Sequence, residues 1–147
     1  MVAFILEKLD LTDVEVDEKK VSVVRRRKGN GGRKRVFSEI QAKYIQNVAT
    51  KAGFTAEAPL FFETMSLAEQ VAAVRSSKVL VMRHGAGEAN SIFMHEKAVL
   101  FEISSSIDYN LVENGAVNVK RDRTQFYKWP CEATGCKHAH VNLFARS

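Results

Sequence analysis

Apolar positions along this chain come in two kinds of run, some spaced by three and four residues and some contiguous. Val2, Ile5, Leu6 and Leu9 have helical spacing and predict a short N-terminal helix over Val2–Leu11. Thr12–Lys20 reads as an acidic connector, and the β-branched run Val21–Val24 predicts a strand. Val36-Phe37 marks a brief extended return. Ser38 with Gln41 has capping-box spacing and opens a helix through Tyr44, Ile45 and Val48 to a stop at Gly53. Phe54–Phe62 reads as extended, with Pro59 placing a strand start or edge near Leu60. Ser66 and Glu69 repeat the capping signature ahead of Leu67, Val71 and Val74. Lys78–Met82 is a compact apolar run, predicted as a buried strand, and it drives into the polar, glycine-punctuated turn His84-Gly85-Ala86-Gly87-Glu88-Ala89-Asn90. A short helix over Glu88–Met94, a strand over Ala98–Ile103 and a helix over Tyr109–Asn114 continue the series. Val117–Val119 and Thr124–Trp129 are further extended pieces. Strands alternating with helices predict an α/β layer fold with a mostly parallel sheet.

A length of 147 residues fits one domain with room for a buried core. Trp129-Pro130 is the expected end of the packed unit. The chain then divides into an N-terminal helix and connector (1–19), an α/β domain (20–128) and a Cys/His-containing tail (129–147). No apolar run is long enough to span a membrane, and Met1–Leu6, soon followed by Glu7 and Asp10, is too short for a signal peptide. The compartment is therefore unknown from this end of the chain.

The formal charge of +5 is a local feature. Arg25, Arg26, Arg27, Lys28, Arg33, Lys34 and Arg35 hold seven of the 22 basic residues, leaving fifteen against seventeen acidic ones. No aromatic readers are interleaved with this block, so nucleic acid is not the expected partner.

The turn after Lys78–Met82 is the best candidate for chemistry. Open α/β sheets bind ligands at the carboxyl ends of their strands, where helix N-termini aim backbone N–H groups at anions. Gly85 and Gly87 lack the Cβ atoms that would hold a ligand off the backbone. His84 brings a side chain that donates, accepts or carries charge near neutral pH. The competing reading is a tight strand-to-helix turn with a hydrogen-bonded histidine.

Taken in order, several motifs resemble glycosyltransferase family 61, which includes plant xylosyl- and arabinosyltransferases and animal O-linked N-acetylglucosaminyltransferases. They are Val23-Val24-Arg25, Arg35-Val36-Phe37-Ser38-Glu39, Ser66-Leu67-Ala68-Glu69-Gln70, the turn His84–Asn90, Phe93-Met94 and the strand Val99-Leu100-Phe101-Glu102-Ile103. The resemblance covers about residues 20–128. Glu88 stands where the family motif has leucine, Arg83 where a small or neutral residue is frequent, and Ser38 where asparagine is common. The resemblance implies a Rossmann-like three-layer domain equivalent to the C-terminal, donor-binding half of a GT-B enzyme. An acceptor-side half would then lie upstream of Met1. It also implies inverting transfer from a UDP-sugar to a glycan or protein acceptor, with no metal or other cofactor. A full-length eukaryotic member would work in the Golgi or ER lumen; otherwise the cytoplasm is expected.

On that resemblance, His84 and the amides around Gly85, Ala86 and Gly87 would hold the diphosphate, with Arg25, Arg26 or Arg35 as its cations. Asn90 is a further candidate ligand, although it equally suits bonding of the turn's own backbone. Glu69 and Gln70 match the helix motif, while Glu69 also fits a plain capping box. Glu102 ends a strand, where an acid suits a ribose hydroxyl, or is simply a loop acid. No catalytic residue is assigned: no general base stands out, and in inverting GT-B enzymes the base often comes from the other half. Cys131, Cys136, His138 and His140 fit a free-thiol tail, a disulfide or a zinc site, although the spacing is unusual for zinc. The alternative function is a non-catalytic α/β module, a degenerate transferase whose basic loop contacts anions or nucleic acid.

Overall fold

The structure is a computed structural model that describes residues 1–27, 37–83, 85–104 and 128–142. The expected extended return at Val36, the helix over 109–114, the strand over 117–119 and the extended piece over 124–129 as far as residue 127 lie outside the described residues; its last two residues, Lys128 and Trp129, are helical and not extended.

Helix α1 (Val2–Lys8) leads into strand β1 (Asp17–Arg25). Helix α2 (Glu39–Lys51) is followed by two short strands, β2 (Thr55–Ala56) and β3 (Leu60–Phe61), and by a 3-10 turn over Phe62–Thr64. Helix α3 (Leu67–Ser76) feeds β4 (Ser77–Arg83), and a 3-10 helix over Ala86–Phe93 leads to β5 (Val99–Ser104). Helix α4 (Lys128–Ala133) and strand β6 (Lys137–Asn142) complete the series.

Both capping boxes form. Ser38 Oγ accepts from the Gln41 amide at 3.1 Å while Gln41 Oε1 accepts from the Ser38 amide at 2.9 Å. Ser66 and Glu69 make the same reciprocal pair, and these bonds hold the Glu69 carboxyl below its ordinary pKa. Gly53 follows the end of α2 with φ of 84°, a conformation that disfavours any side chain with a Cβ.

Among the described residues the sheet has six strands, and every pairing is parallel. Its order is β2-β1-β4-β5-β6, with β3 also pairing β1 beyond β2. Alternation along each strand sends Val24, Leu80, Met82 and Leu100 into one core with α1, α3 and the second 3-10 helix. Val21, Val23, Val81 and Ile103 face the other way, onto a second core that takes in Ala42 and Ala49 of α2. Helices thus cover both faces, and the fold is the Rossmann-like α/β arrangement expected.

Two boundaries differ from the sequence reading. Strand β1 begins at Asp17, inside the supposed connector, because its charged first residues find partners on neighbouring segments: Glu18 pairs with Lys78, and Lys20 Nζ donates to Ser76 Oγ at 3.0 Å. The packed unit also runs past Trp129-Pro130. Strand β6 pairs with β5 from Val99↔Lys137 to Ser104↔Asn142, and Cys131 and Cys136 are buried in the first core. These two cysteines form a disulfide, which closes the three open readings of the tail's thiols.

Candidate functional site

The chain runs from β1 outward to β2 and β3, then returns through α3 to lay β4 on the opposite side of β1. Strand order therefore reverses between β1 and β4. At such a switch point the connections leave in opposite directions and open a crevice at the strands' carboxyl ends. A cleft of about 300 Å³ lies there, bounded by Val24, Arg25 and Arg26 from the end of β1 and by Met82, Arg83, Gly85 and Gly87 from the end of β4. Phe62, Glu63, Gln70 and Asn90 close it.

Arginines dominate its polar lining. Arg25 is fixed by donation from Nε to the Phe37 carbonyl at 3.2 Å, and its guanidinium lies 5.4 Å from the Phe61 ring centroid. Arg26 Nε lies 3.9 Å from Glu63 Oε1, a half-exposed pair that an incoming anion can displace. Arg83 lies 5.8 Å from the Phe37 ring, and burial pulls its pKa below the ordinary value without removing its charge.

The glycines form the opposite edge. A Cβ placed on Gly85 would stand 3.6 Å from Arg26 Nη1, between that cation and the turn. On Gly87 it would come within 3.2 Å of Met82 Cε. Gly85 has an extended φ of 167°, so what glycine supplies at this position is open space beside a cation. Its N–H is directed to Glu88 Oε2 at 3.3 Å, so this amide does not point at the cleft as the sequence reading expects. The next amides, of Ala86 and Gly87, begin the 3-10 helix, where a helical turn provides no acceptor of its own.

Gln70 and Asn90 sit at the cleft as a linked pair. Gln70 Nε2 donates to the carbonyls of Phe62 and Met65, both at 3.0 Å, and Gln70 Oε1 accepts from Asn90 Nδ2 at 2.9 Å. Gln70 thus ties α3 to the 3-10 turn before it and to the 3-10 helix after β4.

The structure therefore gathers Arg25, Arg26, Gln70, Gly85, Gly87 and Asn90 around one cleft. Glu69 is not among the lining residues; it is an exposed helix cap. Glu102 is also absent from the lining. It is wholly buried on β5, where its Oε2 lies 2.8 Å from His138 Nε2, and this places it away from the ribose position suggested for it. Among the described residues no group of three metal-ligating side chains converges. His84 and Arg35 lie outside the described residues.

Glu63, Phe62 and Arg83 were not foreseen as lining residues. Glu63 follows β3, a two-residue strand whose carboxyl end points to the same rim, and the signal available was that position alone. The buried Glu88 is the other surprise. Burial and the neighbouring Glu102 raise its carboxyl to a pKa of about 8, partly offset by the Gly85 N–H.

A family model, Glycosyltransferase 61, matches residues 1–101. The chain belongs to glycosyltransferase family 61. The match takes in α1 through the first half of β5, and so every residue that lines the cleft. No curated protein matches the chain. Family membership makes the transferase class the frame for the cleft, whose arginines and close-approach glycines suit a phosphate-bearing ligand.

Proposed function

We propose that this cleft binds the diphosphate of a UDP-sugar, and that the chain supplies the donor-binding half of an inverting glycosyltransferase of GT-B type. The observation that carries the reading is the meeting of Arg25 and Arg26 with Gly85 and Gly87 at the switch point between β1 and β4. The acceptor is a glycan or a protein hydroxyl.

In such a transfer the acceptor oxygen attacks the anomeric carbon while the bond from that carbon to the diphosphate oxygen breaks. The electron pair leaves with the diphosphate, and the acceptor proton passes to a base on the acceptor side. The developing negative charge needs donors fixed before reaction, since preorganised dipoles and cations do not have to reorient as charge appears. Arg25 is held by Phe37 and Phe61, which limits its rotamers, and a guanidinium matches two phosphate oxygens at once. Arg26 parts from Glu63 as the ligand enters, while the Arg27 N–H, donating to Glu63 Oε1 at 3.0 Å, keeps that carboxylate at the rim with its other oxygen placed to accept from sugar hydroxyls. The reading gives no role to a metal ion.

Isothermal calorimetry with UDP tests it. Saturable binding that is lost in Arg25→Ala or Arg26→Ala is expected. Absence of UDP binding by folded protein overturns it, and strongly salt-dependent binding of a polyanion in its place favours the non-catalytic module.

A further inference from the structure

Glu88 and Glu102 are two buried carboxyls outside the cleft lining, and the proposed transfer uses neither. Both are fully shielded from solvent. Burying a carboxyl is costly unless it is bonded, so each needs a physical reason to be there. Glu102 has one in His138, at 2.8 Å, which ties β5 to β6. Glu88 sits one helical turn past Gly85, and the two residues clasp each other. The Glu88 N–H donates to the Gly85 carbonyl at 3.0 Å, and the Gly85 N–H donates back to Glu88 Oε2 at 3.3 Å.

That double clasp sets where the chain leaves β4. Gly85 lies at the cleft edge, with space for a Cβ 3.6 Å from Arg26 Nη1. Met82 is in register with Glu102 on β5, and its Cε lies under Gly87. Glu102 is thus built into β5 beside the end of β4, and Glu88 into the first turn of the 3-10 helix whose Gly85–Gly87 segment forms the cleft edge. A carboxyl in this position selects one orientation for the Gly85 peptide, whereas an apolar side chain of the same size fills the space without directing it.

We infer that Glu88 is a positioning residue for the donor cleft: its buried carboxyl holds the Gly85 N–H and so fixes the Gly85–Gly87 edge opposite Arg26. This rests on the donor-site reading for its effect on binding. It does not rest on it for the geometry.

The test uses the whole chain with Glu88→Leu and Glu88→Gln, reading hydrogen exchange at the Gly85 amide, UDP affinity and Tm. Glu88→Leu is expected to speed Gly85 exchange at least about tenfold and to weaken UDP binding by the folded protein about tenfold, the size of one lost hydrogen bond. Glu88→Gln keeps an acceptor for Gly85 and retains slow exchange and UDP affinity within about twofold. A role in stability alone would lower Tm in Glu88→Leu and leave UDP affinity unchanged in the folded fraction. Wild-type exchange at Gly85 in Glu88→Leu overturns the inference, as does fast exchange in a folded Glu88→Gln. The second result decides the matter even if Glu88→Leu does not fold. If wild-type protein fails to bind UDP, the donor-site reading falls, and the Gly85 exchange result still decides the role of Glu88.

Discussion

Asn90 Nδ2 donates to Gln70 Oε1 at 2.9 Å, joining the start of α3 to the 3-10 helix that follows β4. Both Gln70 amide protons are already committed to the Phe62 and Met65 carbonyls. Gln70 therefore acts on the cleft by holding its walls together. Gln70→Ala removes donors from two carbonyls and an acceptor from Asn90, and is expected to cost about 2 kcal/mol of stability. Urea denaturation checks this. Gln70→Glu should be no better, because a carboxylate cannot donate to either carbonyl.

The buried carboxyl gives the fold a particular pH response. Glu88 feels the charge of Glu102 from β5, which in turn pairs with His138 from β6; Arg83 ends β4 and Arg26 follows β1 on the cleft side. Its pKa rises from an ordinary 4.5 to about 8 on folding. Between those values the folded chain keeps a proton that the unfolded chain has released, so this group's contribution to stability falls as pH rises through that window. Glu88→Gln cannot ionise and lacks that loss. Its stability relative to wild type should increase steadily from pH 5 to pH 8, as followed by urea midpoints. Parallel profiles for the two proteins contradict the assignment.

The Cys131–Cys136 disulfide fastens the turn between α4 and β6, and both cysteines are buried in the larger core. Its closed loop is short, so in the chain-entropy account replacing it with two serines costs about 2 kcal/mol. Thiol counting under denaturing conditions should find no free thiol before reduction. Disulfides of this kind persist in oxidising compartments, and protein made under reducing conditions is expected to melt at a lower temperature.

Much of the fold was legible because its signals are local. Ser38 with Gln41, Ser66 with Glu69, and Gly53 each fix a helix end within a few residues of chain. The contiguous run around Leu80 and Val81 was legible as a buried strand for the same reason. What escaped depends on distant partners. Asp17–Lys20 reads as connector until Lys78, Ser76 and the neighbouring strands are in place. His138 looks like part of a polar tail, yet it is buried because Glu102, 36 residues earlier, meets its ring. For want of that partner, Glu102 reads equally as a ribose ligand or an exposed loop acid, and it is neither lining the cleft nor exposed. For the cleft, the turn and its arginines were visible in the sequence. The reversal of strand order that brings β1 beside β4 was not, since no spacing in one chain encodes it.

Arginine in the role of charge stabiliser has a consequence for metals. If Arg25 and Arg26 neutralise the diphosphate, UDP affinity should be the same within about twofold in EDTA and in millimolar magnesium or manganese. A tenfold or greater gain on adding a divalent ion contradicts that part of the account.

The central claim is that the crevice between β1 and β4 receives the donor diphosphate, and Gly85→Ala tests it most directly. Gly85 has an extended φ open to any residue, and the added Cβ meets only ordinary contacts at 3.6 and 3.7 Å, so the variant should fold with wild-type stability. The methyl group nevertheless stands beside Arg26, where a phosphate oxygen would have to come. Calorimetry is expected to show UDP binding weakened at least about tenfold, or 1.4 kcal/mol, at unchanged Tm. Wild-type affinity for UDP in Gly85→Ala would place the diphosphate elsewhere and contradict the account.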